Sequence, residues 1–205
     1  MPEVVDARTV VLVEGVSDQL AVEALALRHG RDLAADGVAV LAMGGATNIG
    51  HYLRTYGPPG ANVGLAGLCD EAEAGIFRRA LQRAGVTPVG LAPTELAGAH
   101  PQPTEPTRKA LASQRVFVCV ADLEDELIRA HGVAAVQEIL DAHGDLGSFR
   151  TFQRQPAQHG KSDAARLRRF LGTGSGRKIR YGALLVDALE LDRIPAPLAA
   201  LLNSF

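Results

Sequence analysis

The feature that most constrains this chain is a repeated unit, an apolar run of strand length followed at once by a helical pattern. "TVVLVEG" leads into "SDQLAVEALALRHG", "GVAVLAMGG" into "ATNIGHYLRTYG", and "ANVGLAGLCD" into "EAEAGIFRRALQRAG". After an interruption, "RVFVCV" leads into "ADLEDELIRAHG". Strands that are apolar along their whole length are buried on both sides, and the helices between them supply the cover. That combination implies a parallel sheet. The expected fold is α/β, with a four-stranded parallel sheet flanked by helices.

The rhythm breaks between about residues 88 and 114, where "GAHPQPTEPT" carries three prolines in ten residues and reads as an extended loop or insertion. The last third reads as helical: "KSDAARLRRFLG", a flexible "GTGSG", then "KIRYGALLVDALEL" and "IPAPLAALLNSF". This divides the chain into an α/β domain over residues 1–150, with the Pro-rich insertion inside it, and a helical C-terminal extension over 151–205. With 205 residues, one substantial core is within reach.

Composition narrows the functional classes. No apolar stretch is long enough to span a bilayer, and the start "MPEVVDARTV" lacks signal-peptide character. Cys69 and Cys119 sit in apolar runs and read as buried thiols, so a cytoplasmic protein is expected. A net charge of -2 argues against general attraction to nucleic acid, yet the basic residues cluster. Arg78, Arg79 and Arg83 fall together, as do Arg166, Arg168 and Arg169, and then Arg177, Lys178 and Arg180. Solvated helix faces are the simpler reading of such clusters. An aromatic content of 4%, with no Trp, speaks against base stacking as the main binding mode.

Three of the four strands end in acids: Glu14, Asp70, and the group Asp122, Glu124 and Asp125. Ligands of an open parallel sheet bind at the carboxyl ends of its strands, so these acids converge on one edge. Carboxylates forced together repel unless a cation holds them, and hard oxygen donors suit Mg2+ or Mn2+. Taken singly, each acid has a plainer explanation. Ser17 is a good helix cap, and Asp18, Glu71, Glu73 and Asp125 would each complement a helix N-terminus. Taken together, with Glu14 and Asp70 on strand ends, the acids favour a metal site. The six histidines form no pair with zinc-ligand spacing. Gly44 and Gly45 make a tight turn after the second strand or admit a phosphate backbone.

Several of these segments carry a family resemblance. "VEGVSD" resembles the first motif of TOPRIM domains, and "GLCDEAEAG" resembles their second. "AMGGATNIGHYL", "VFVCVADLEDEL" and "GKSDAARL" are similar to successive segments of the overcoming-lysogenization-defect (OLD) nucleases, so the likeness runs over about residues 8 to 170. It implies a TOPRIM (Rossmann-like) fold and a DNA endonuclease or nickase with two divalent ions, Mg2+ or Mn2+. Carried over residue by residue, Glu14, Asp18, Asp70 and Glu124 become metal ligands or proton-transfer groups, with Asp122 beside them and Glu14 also catalytic. Lys161 becomes the group that offsets charge on the phosphate.

The chain departs from the family twice. The usual aspartate two residues after Asp70 is replaced by Ala72, and Glu73 is the substitute one position along. The ATPase domain that precedes TOPRIM in full-length members is also not found. "GTGSGRK" and "HGKS" both lack the G-x-x-x-x-G-K-[ST] spacing. A second reading is therefore a catalytically degenerate TOPRIM module that binds metal or nucleic acid and partners a separate ATPase.

Overall fold

A computed structural model describes residues 6–86 and 104–205. The first half lays down β1 (Thr9–Val13), α1 (Val16–Arg28), β2 (Val38–Ala42), α2 (Ile49–Tyr56), β3 (Gly64–Asp70) and α3 (Ala74–Arg83). Then follow α4 (Glu105–Ser113), β4 (Val116–Cys119), α5 (Leu123–His131), α6 (Val133–Ala142) and α7 (Leu146–Gln153). The chain closes with α8 (Asp163–Leu171), α9 (Ser175–Asp187) and α10 (Ala196–Leu202).

The four strands form one sheet in the order β2-β1-β3-β4, parallel throughout. Along β1 successive residues feed opposite cores. Val11 and Val13 point into one with α1, and Val10 and Leu12 into the other with α2 and α3. This is why the strand is apolar at every position from Val10 to Val13. The crossover from β1 to β2 runs opposite to the later ones. Right-handed connections therefore put α1 on one face and α2, α3 and α4 on the other.

The C-terminal helices complete the α1 face. Phe149, Phe170, Tyr181, Leu185, Val186, Leu198 and Leu201 are buried in the same core as Val22 and Leu25. α9 packs closely on α1 because Gly182 has no side chain there. A Cβ at that position would stand 3.1 Å from the Ser17 carbonyl oxygen.

Two local details differ from the sequence reading. Residues 87–103, most of the Pro-rich segment, lie outside the described residues, but its last part is the helix α4. Thr104 caps that helix, its hydroxyl accepting from the Thr107 amide, and Pro106 falls in the first turn, where a missing N–H breaks no helical bond. At α1 the cap is Gly15, not Ser17, which is buried in the contact with α9. No helix among the described residues is long and apolar enough to cross a membrane.

Candidate metal centre

The sheet order places the tips of β1 and β3 side by side, with β4 next to β3. This is also where strand order reverses relative to the chain, the position at which open parallel sheets bind ligands. Glu14 follows β1 directly, and Asp70 is the last residue of β3. After Asp70 the chain makes a single 3-10 turn, Glu71–Glu73, before α3. With three residues per turn, positions i and i+3 eclipse, so Glu73 comes back over Asp70. The outcome is a triad: Glu14, Asp70 and Glu73 each offer a carboxylate oxygen, all within 4.8 Å of one another. Position 72 points elsewhere on that turn, and Glu71 turns away to an ion pair with Arg108.

The triad is electrostatically loaded. Burial, reinforced by the charges of Asp18, Asp122 and Glu14, pushes the Asp70 carboxyl up to about 8. Burial, a hydrogen bond with Glu14 and the neighbouring carboxylates push Glu73 up to about 8 as well. Glu73 Oε2 is buried with no protein N–H donating to it. The carboxyls of Glu14 and Glu73 therefore face each other and would share a proton. Two of the three, Asp70 and Glu73, hold protons because burial and neighbouring carboxylates disfavour ionisation, and three hard oxygens so gathered fit a hard divalent cation.

The remaining acids at this edge are already engaged. Asp18, in the first turn of α1, accepts a hydrogen bond on Oδ2 from the Gly15 amide at 2.9 Å, and burial raises its pKa. Asp122 caps α5: Oδ1 accepts from the Asp125 amide at 2.8 Å, and Oδ2 accepts from Arg168 Nε at 2.6 Å. Glu124 is buried, and Lys178 Nζ lies 3.3 Å from its Oε2. Burial outweighs that lysine and leaves the Glu124 carboxyl at about 7.

The lysine brought to the acids is thus Lys178, on α9. Burial lowers its pKa, but Glu124 and Asp18 more than offset this, and it is held above its ordinary value. Lys161 lies in the irregular segment before α8, where its ammonium donates to the Ala157 carbonyl. The sequence singled out Lys178 only as one of a basic cluster. The signal that could have found it is the pairing of a lysine with Gly182 one turn later, on an otherwise apolar helix face.

Other basic residues are tied down within the protein. Arg166 pairs with Asp163, Arg180 pairs with Asp145, and the Arg177 guanidinium lies 4.1 Å from the Phe170 ring centre. On the far side of Glu14, Gly45 donates its amide to the Glu14 carbonyl at 3.1 Å. Gly44 and Gly45 take φ of 70° and 116°, so the loop beside the triad is a turn that only glycine makes easily.

Residues 7–63, which include Glu14 and Asp18, match the model of the overcoming-lysogenization-defect protein-like TOPRIM domain. The fold is similar to that of the C-terminal region of the Burkholderia pseudomallei OLD protein, with a TM-score of 0.69 at 20% identity over 96% of both chains. It is also similar to the C-terminal region of the Xanthomonas campestris pv. campestris OLD protein. That TM-score is 0.64 at 26% identity, over 96% of this chain and 93% of the other. A comparison with curated proteins finds no match.

Proposed function

We propose that this chain, which carries a TOPRIM domain of the OLD type, is a divalent-metal-dependent DNA endonuclease or nickase. The observation that carries the reading is the convergence of Glu14, Asp70 and Glu73 within 4.8 Å at the carboxyl edge of a parallel sheet. Phosphodiester hydrolysis adds water across one P–O bond. The water oxygen bonds to phosphorus, the bond to the leaving oxygen breaks, and that oxygen takes up a proton. A Mg2+ or Mn2+ ion held by the triad would supply Lewis-acid stabilisation and favour ionisation of water at neutral pH.

The chain's own groups divide the remaining work. Glu14, at the tip of β1 beside Glu73, is the proposed proton-transfer group of the site. Lys178, half-exposed and anchored on Glu124, presents positive charge where the phosphate gains negative charge. In this reading Lys178 takes the part that the resemblance gave to Lys161. Arg168 fixes Asp122, which in turn caps α5 and holds Glu124 in place.

A test is to incubate the protein with supercoiled plasmid in Mg2+, Mn2+, Ca2+ or EDTA. Nicked or linear product with Mg2+ or Mn2+, lost in EDTA and in Glu14→Gln, is the expected result. Nicking by Glu14→Gln at the wild-type rate would remove the assignment. Ala72, where the family has a carboxylate, favours one second reading, a binding module without turnover acting with a separate ATPase. Metal binding with no product under any ion would select it.

A further inference from the structure

We propose that the chain supplies its own second cation: Glu14, Asp70 and Glu73 take a single divalent ion, and the Lys178 ammonium holds the place beside Glu124 and Asp18 that a second ion would need. This rests on the metal-dependent reading above and departs from the two ions that the family resemblance implies.

Six carboxylates gather at this edge. Both oxygens of Asp122 are used, one by the Asp125 amide and one by Arg168. One oxygen of Asp18 is held by the Gly15 amide, and Glu124 is paired with Lys178. Among the described residues, the triad is the group that brings its carboxylate oxygens within 4.8 Å of one another, and the ion pairs at this edge fall on Glu71, Asp122 and Glu124 instead. A second ion would have to draw on Asp18 and Glu124, and Ala72 offers it nothing.

It would also have to displace an ammonium whose backbone is fixed. Lys178 stands one helical turn before Gly182, and Gly182 seats α9 against the Ser17 backbone at the start of α1. The same α1 turn carries Asp18. The lysine and Asp18 are therefore positioned by one helix–helix contact, with Glu124 presented to them from α5. A tethered ammonium at 3.3 Å from Glu124 opposes a divalent ion at that spot by like-charge repulsion.

Titration calorimetry of the full chain with MnCl2 alone tests the stoichiometry directly, with circular dichroism melts to verify the fold of each variant. Wild type should bind one ion per chain, Lys178→Gln two, and Lys178→Arg, which keeps the charge, one. Two ions on wild type would overturn the proposal while leaving the nuclease reading intact, and so would one ion on a folded Lys178→Gln. No binding to wild type would overturn both.

Discussion

At the scale of single residues, the difference between Glu73 and Ala72 is a matter of helical pitch. A strand continuing past Asp70 would bring position 72 back to the same side, whereas a 3-10 turn brings position 73. Glu73→Ala should therefore weaken Mn2+ binding by at least about tenfold, since loss of even indirect partners of a metal commonly costs that much. Ala72→Asp should change little. The contrasting variant is Asp122→Ala. Its carboxylate caps a helix, so it should cost about 1–2 kcal/mol of stability while calorimetric metal affinity at the triad stays near wild type. Unchanged affinity in Glu73→Ala, or lost affinity in a folded Asp122→Ala, would reverse these roles. The acids themselves were legible in the sequence because strand-end carboxylates have few structural uses. Which acids remain open to a cation was not, because that depends on backbone amides and on Arg168, 46 positions away in the chain.

Among the elements, the four strands and the helices that follow them could be read from apolar run length alone. α4 could not, because prolines in its approach and first turn give a loop-like composition to a segment that ends as a helix. Lys178 was obscured for another reason. Its proximity to Glu124 depends on how closely α9 approaches α1, and a sequence records helices but not the distance between them. That distance depends on Gly182. Gly182→Val would put a branched side chain where the Ser17 carbonyl lies 3.1 Å from the Cβ position, forcing the helices apart. The expected cost is about 1–3 kcal/mol, read as a Tm loss of roughly 2–4 °C for each kcal/mol in a chain of this size. A double-mutant cycle should show weaker coupling between Lys178 and Glu124 in that background. Wild-type coupling there would mean that the lysine is placed by something other than this contact.

For the whole molecule, the acid edge links stability to pH in an unusual sense. Without a cation, the folded chain keeps protons on Asp70 and Glu73 up to about pH 8. The unfolded chain releases them near pH 4. Between those limits the folded state binds more protons than the unfolded one, so stability falls as pH rises. A divalent ion replaces the protons, and its affinity should climb through the same window. Thermal melts with and without MgCl2 at about pH 5, 6.5 and 8 check both signs. The metal-free Tm should drop across the series, and the gain from Mg2+ should widen. A metal-free Tm that rises toward pH 8 would mean that these carboxyls are not held protonated by their surroundings.

The sheet order also sets when the acid edge can form during folding. No stretch of the chain carries the centre by itself. Glu14 and Asp70 become neighbours only when β1 and β3 pair, two strands separated by a complete crossover, and Lys178 arrives only when α9 docks on α1. Contacts between such distant positions form after the entropy of closing the intervening chain has been overcome. A nascent or refolding chain therefore passes through its early stages unable to hold the ion. On the metal-dependent reading proposed above, ion capture marks the end of assembly, because an incompletely folded copy lacks the complete acid triad.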